Sequence, residues 1–234
     1  MTRRTLTAAP PDHRSRVGAA RREKTRTRLI ESALLVFASR GVDASVIDEV
    51  IARAGVSRGT FYNHFRANED LFAAAAEAAS NEIVRLIDPL VLQHRDPGAR
   101  VAAGLRLALS LARRCPPFAA FVTRGGVAAI RQGGEATAKL MRDIGAGLAS
   151  GRFSPLPPRL LQDLVLGPVV CAFETMAAGE VAAEYPELFA QAILQALGVP
   201  GATAARLARE PLGELILPED SLFVRVSQLM AEPD

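Results

Sequence analysis

The apolar positions of this 234-residue chain recur at helical spacing from about residue 25 onward, and no stretch shows the alternation of a half-buried strand. Ile30, Ala33, Leu34 and Phe37 fall on one helical face, Arg28, Glu31 and Arg40 lie off it, and Gly41 supplies a stop. These features predict a first helix from about Thr25. Ser45 is placed to cap a second helix, with Asp48 three residues on in a capping-box-like pair and Ile47, Val50, Ile51 and Ala54 as the buried stripe. Gly55 ends it. After Val56 alone, Ser57 is placed to cap a short third helix whose Phe61 and Phe65 point inward. Two helices joined by so tight a glycine turn form a helix-turn-helix.

Asn68, followed by Glu69 and Asp70, reads as the cap and acidic first turn of a fourth helix reaching about Ile87. Further helices are predicted near 97–114, 117–124, 135–148, 158–178 and 186–197, set off by glycine and proline clusters. Pro168 is expected to kink the longest of them. Leu188, Phe189, Ala192, Ile193, Ala196 and Leu197 give the last a clean apolar stripe. The fold class is therefore all-α.

Composition agrees with this reading. Hydrophobic residues make up 49% of the chain, aromatics only 5%, and tryptophan is absent, so the core is mainly aliphatic side chains on helices. Charge adds an asymmetry. Residues 1–30 hold nine Arg or Lys and two acids, a balance of 9 − 2 = +7, which leaves −4 for the remainder of a chain whose net charge is +3. A basic end on a mildly acidic body suits a polyanionic partner. Residues 1–22, rich in Pro, Arg, Thr and Ala without apolar period, read as a flexible basic arm.

The third helix indicates which polyanion. Its outward residues, Arg58, Thr60, Tyr62, Asn63 and His64, are all hydrogen-bonding and none is acidic, as a helix entering a groove lined by phosphates requires. Arg58, near its start, is placed to reach base edges, and Thr60, Tyr62 and His64 to bind phosphates.

The run Gly55-Val56-Ser57-Arg58-Gly59-Thr60-Phe61-Tyr62-Asn63-His64-Phe65, followed by Asn68-Glu69-Asp70-Leu71, resembles the DNA-binding signature of TetR-family regulators, a likeness covering about residues 24–72. The resemblance implies that Thr60 and Tyr62 contact the DNA backbone, that Arg58, Gly59 and Asn63 form the face toward the bases, and that Lys24 and Arg28 lie near flanking phosphates. With the caps Ser45 and Ser57 and with His64, these residues make up the candidate DNA site. The organisation implied is an arm at 1–22, a three-helix DNA-binding domain at 23–67, and a helical ligand-binding and dimerisation domain at 68–234. The fourth helix is expected to link the two domains as a lever.

By the same resemblance the helices near 158–178 and 186–197 pair with those of a second subunit, so that a homodimer meets a double-stranded operator with dyad symmetry. A small-molecule effector, apolar or amphipathic, is expected among the central helices. Phe118, Phe121, Met141 and Phe173 are candidate walls and Glu174 a candidate polar contact. The function implied is a transcriptional regulator, a repressor released by its effector. The alternatives are an architectural DNA-binding protein without an effector and a helical enzyme.

Other chemistry finds little support. Gly55-Val56-Ser57-Arg58-Gly59 spells the nucleophile elbow of serine hydrolases, but that motif needs a strand before the serine, and a helix is predicted there. Gly145, Gly147 and Gly151 only faintly echo a dinucleotide fingerprint and are expected to serve helix packing or ending. His13, His64 and His94 are scattered and the cysteines are far apart, so no catalytic, metal or cofactor site is expected. Cys115 and Cys171 read as reduced core residues of a cytoplasmic protein. Arg3 and Arg4 precede no apolar run, so export is not expected, and the apolar run Leu164 to Phe173 is too short to predict a membrane span.

Overall fold

The computed structural model describes residues 13–42, 46–132, 134–179 and 181–231, and among these every regular element is a helix. Three form the N-terminal head: α1 (His13–Arg40), α2 (Ile47–Ala54) and α3 (Arg58–Tyr62). The body consists of α4 (Asn68–Val91), α5 (Pro97–Arg114), α6 (Pro116–Gln132), α7 (Glu135–Ala149), α8 (Pro158–Ala177), α9 (Tyr185–Ala196), α10 (Gly201–Ala208) and α11 (Leu222–Ala231).

The first helix departs from expectation at both ends of its environment. It begins at His13, so residues 13–22, expected within a flexible arm, are helical, while residues 1–12 lie outside those described. Once the buried turns have nucleated a helix, adding Ala, Arg, Glu and Lys residues costs little, and no apolar stripe is needed. Further along, every residue from Leu29 to Ala38 is buried, not one face alone. A helix enclosed on all sides belongs to a core. Here α2, α4, α6 and α11 all pack against α1.

The turns follow the glycines. Gly55 takes a left-handed conformation (φ 59°) that ends α2, its N–H bonding to Ala52 and that of Val56 to the Ile51 carbonyl. Ser57 caps α3 as predicted, its Oγ accepting from the Thr60 N–H at 3.1 Å. The residue before α2 is Val46, which makes no side-chain cap; the expected cap Ser45 lies outside the described residues. Ala67 occupies the cap position of α4, and Asn68 instead donates to the Val42 carbonyl at 3.2 Å, tying α4 to the end of α1.

Helix α6 extends past the predicted 117–124, turning sharply at Gly126 (φ 58°) before resuming. Helix α8 runs through Pro168 without a break. Its length and mean hydropathy of 1.4 suffice by composition to cross a membrane, more than the ten-residue count had suggested. Yet Leu161, Val165, Leu166, Ala172 and Phe173 pack into the body, as in a core helix. Cys115 is buried as expected, with burial raising its thiol pKa, whereas Cys171 is exposed on the outer side of α8. Helices α10 and α11 were not anticipated. Gly147 is a packing glycine: a Cβ there would meet the Phe153 ring at 2.1 Å.

That contact generates a prediction. Gly147→Ala forces the Phe153 ring out of place and should lower stability by ~1–3 kcal/mol, read as a fall in urea midpoint at constant slope. An unchanged midpoint would refute the packing assignment.

Candidate DNA-binding face and effector cavity

Helix α3 divides its residues cleanly. Phe61 and Phe65 are buried, their rings 6.0 Å apart, while Ser57, Arg58, Gly59, Tyr62 and Asn63 are exposed. Tyr62 is 48% exposed. Thr60 and His64 are half-buried, and the Thr60 hydroxyl lies 2.8 Å from Ser57 Oγ.

The N-terminal turns of α1 run beside the end of this helix. Gly18, Arg21, Arg22, Thr25, Asn63 and His64 border one open groove, and Arg22 Nη2 approaches the Asn63 carbonyl at 3.4 Å. Arg26 sits 5.6 Å over the Phe65 ring. Burial, and then Arg22 and Arg26, hold the pKa of His64 below the usual histidine range. The helical extension of α1 thus widens the basic surface around α3. Lys24 is exposed there.

Two arginines are engaged in ways the sequence did not reveal. Arg28 donates to the Ala54 carbonyl, clamping α1 to the end of α2, and a Cβ at Gly55 would stand 3.0 Å from its guanidinium. Arg28 thus makes an intramolecular contact while remaining exposed. Arg58 donates to the Asp48 carboxylate in the first turn of α2, which raises the arginine pKa. Asp48, read from sequence as a capping residue, places an acid beside the face expected to meet bases. No periodicity signals it, because the contact crosses the turn.

The second site lies within the body. A cavity of 180 Å³ lies among α4, α5, α6, α7 and α8. Phe118, Phe121 and Phe173 line it, as predicted. Met141 and Glu174 do not. Helix α7 turns Ala136, Thr137, Lys139, Leu140 and Asp143 to the cavity, and Met141 falls off that face. Glu174 follows Phe173 by one residue and projects to solvent.

One end of this apolar space is polar. Asp88, Arg100, Lys139 and Asp143 reach its wall. Arg142 bridges two of them, with Nη2 2.9 Å from Asp88 Oδ1 and 2.8 Å from Asp143 Oδ2, and Arg100 lies 3.6 Å from Asp143 Oδ1. The carboxylates, Asp143 first, raise the pKa of Arg142. Asp88 and Asp143 balance Arg100 and Arg142, and Lys139 is paired with Glu135 at 2.9 Å, so the polar end is neutral overall while offering hydrogen-bonding edges. Sequence reading had used Asp88-Pro89 only as a helix boundary and had not singled out Arg100, Arg142 or Asp143, since four residues on three helices meet only after folding.

Comparison with known proteins fits this geometry. Residues 29–75 match the family described as "Bacterial regulatory proteins, tetR family", and residues 96–210 match "Tetracyclin repressor-like, C-terminal domain". The regulator SrpR of Pseudomonas putida is 40% identical over 60 residues, 26% of this chain and 28% of that protein. AcrR of Shigella flexneri is 34% identical over 76 residues, 32% of this chain and 34% of that protein. The chain therefore matches only about a third or less of the length of these curated relatives.

Solved structures extend further. RolR without ligand is 30% identical, with TM-score 0.67, covering 82% of this chain and all of RolR. RolR bound to resorcinol gives a TM-score of 0.68 at the same identity, over 85% of this chain and all of that one. The helix-turn-helix, the helical body and a full-length likeness at this identity together show that the chain belongs to the TetR family of bacterial regulatory proteins.

Proposed function

We propose that this protein is a cytoplasmic, homodimeric repressor that leaves its operator when a single-ring aromatic bearing hydroxyl groups enters the body cavity. The observation that carries this reading is the cavity itself. At 180 Å³ it is of the order of the ~150 Å³ that admits one benzene ring, and it is mainly apolar, with Ser80, Thr137 and Lys139 and a polar end where Asp88, Asp143 and Arg100 reach the wall and Arg142 bridges the two carboxylates. A hydroxyl can donate to either carboxylate or accept from a guanidinium. A neutral ligand also leaves the balanced charges undisturbed, which a carboxylate or an amine would not. The related RolR is known with resorcinol, a ring with two hydroxyls.

Helix α4 supplies the connection. It begins directly after the DNA-reading helix and carries Asp88 into the cavity, twenty residues or about 30 Å away along its axis. An effector that binds one tilt of this helix better than another shifts the equilibrium between head spacings by that difference alone. A coupling of about 1–3 kcal/mol changes operator affinity ~5- to 150-fold.

Dimerisation is proposed through the outer faces of α8 and α9. There Leu160 is 45% and Leu188 50% exposed, apolar surface that a second copy would cover. On DNA, Arg58 and Asn63 face bases while Tyr62, Thr60 and His64 hold phosphates.

Thermal melting with and without resorcinol tests the effector reading. A concentration-dependent rise is expected, together with loss of operator binding in fluorescence anisotropy. Ala108→Phe, which fills the cavity, should abolish the rise. Operator binding untouched by any such ring would return the protein to an architectural role. On the DNA face, Arg58→Ala should relax preference at one position per half-site by ~1–3 kcal/mol, measured by selection from randomised operators. Retained preference would exclude base reading by Arg58.

His64 gives a pH signature. In the free protein its pKa lies below the usual value, and a phosphate beside it favours the charged form, so binding takes up a proton. The gain is full below the free-state pKa and is lost as pH rises through the higher DNA-bound value. Operator affinity should thus strengthen on acidification from neutrality, and His64→Gln should flatten this component of the profile. A profile unchanged by the substitution would remove His64 from the phosphate contacts.

A further inference from the structure

Helix α11 lies beyond residue 210, where the match to the family's C-terminal domain stops, yet it packs against α1, α4 and α6 and is hydrogen-bonded to α2. Its start is held by the lever helix. Glu82 of α4, largely buried, accepts from Ser221 Oγ at 2.5 Å and from the Leu222 N–H at 3.0 Å, while Arg85 holds both its oxygens. Burial would raise the Glu82 pKa, but the hydrogen bonds from Arg85 and Ser221 outweigh it and keep the group ionised.

The middle of α11 is held by the head. Arg225 Nε donates at 2.6 Å to Glu31, a buried carboxylate on α1. Near its end, Arg53 of α2 donates to the Leu229 carbonyl at 3.3 Å. On its inner side Phe223 packs against Phe118 with ring centroids 4.6 Å apart, and Phe118 lines the effector cavity together with Phe173, whose ring it meets edge-on at 5.5 Å. One short helix is thereby bonded to α1, α2 and α4 while its apolar face forms the back of a cavity wall.

We propose that α11 is a brace that transmits cavity occupancy to the DNA-reading head, with Arg225 and Glu82 as its positioning residues. The reasoning is geometric. A ring entering the cavity presses on Phe118, and Phe118 displaces Phe223. Because α11 is pinned to Glu31 and Arg53, that displacement loads α1 and α2 directly, beside the path through α4. The ion pair to Glu31 is the essential link, since removing Arg225 leaves a buried carboxylate without its cation and frees the brace from α1.

This inference rests on the effector reading above, and the experiment separates the two. Operator affinity is measured by anisotropy with and without saturating resorcinol, and resorcinol affinity by calorimetry without DNA, for the wild type, Arg225→Ala, Glu82→Gln and the swap Glu31→Arg with Arg225→Glu. The brace predicts that Arg225→Ala binds resorcinol within about twofold of wild type, while the ratio of operator affinities collapses by ~5-fold or more. Glu82→Gln, the milder change, should reduce the ratio in the same direction, and the swap should restore part of it. A purely structural role would lower the melting temperature and leave the ratio intact, and a wild-type ratio in folded Arg225→Ala overturns the proposal.

If resorcinol fails to shift the melting of the wild type, the effector reading falls and the brace is judged without it. Arg225→Ala must then speed amide hydrogen exchange in α1–α3 on the order of tenfold, with α5 and α7–α9 unchanged. Unaltered exchange in α1–α3 would end the proposal.

Discussion

Head and body share one core, and the rest of the structure depends on this constraint. Phe37 of α1, Phe72 of α4 and Phe121 of α6 meet at centroid distances of 5.3, 6.4 and 5.5 Å around a single point. Phe37 belongs to the helix that supports the DNA-reading turn, Phe72 to the linking helix and Phe121 to the cavity wall. Interiors packed at this density transmit displacement instead of absorbing it. Complete burial of α1 from Leu29 to Ala38 follows from the same arrangement, because the head lends its central helix to the body. A head hung on a flexible linker could read DNA but could not be told what the cavity holds.

Electrostatics divides labour along the same axis. At the DNA end Arg21, Arg22 and Lys24 are exposed, where they can neutralise phosphates and release counterions, and Arg58 is exposed but held by Asp48. Inside the body the charges are paired. Asp88, Arg142, Asp143 and Arg100 form a balanced group, and Glu31 and Glu82 each find an arginine. Buried pairs of this kind add little net stability, but breaking one is costly, so they fix which helices stay in register. That property suits a protein whose proposed output is a small change in the angle between rigid pieces.

Much of this was legible in the sequence because it is local. The Ser57 cap, the Gly55 turn and the inward pair Phe61 and Phe65 all depend on neighbours within a few residues, and the helices at 97–114, 135–148 and 158–178 announce themselves by proline and glycine punctuation. Three of the aromatic residues assigned to the cavity line it for the same reason, lying on faces that periodicity defines. What escaped notice is long-range. Glu31 and Arg225 stand 194 positions apart, Asp88 and Arg142 54, and no spacing rule links either pair. The choice of Glu174 failed by one position on a helix, where a step of about 100° turns a wall residue into a solvent residue. Helix α11 follows an irregular stretch, and although Ser221 stands at its cap position, the Ser221 hydroxyl donates to Glu82 of α4, whose carboxylate also takes the first helical N–H.

The most direct test of the central claim is footprinting of the purified protein on the DNA beside its own gene, with and without resorcinol. The account predicts a protected dyad, its half-sites about one helical turn or more apart, whose protection weakens as the ring is added. Protection of a dyad that stays constant at saturating ligand, with binding of the ring shown by calorimetry, would contradict the claim that the cavity governs the grip on DNA.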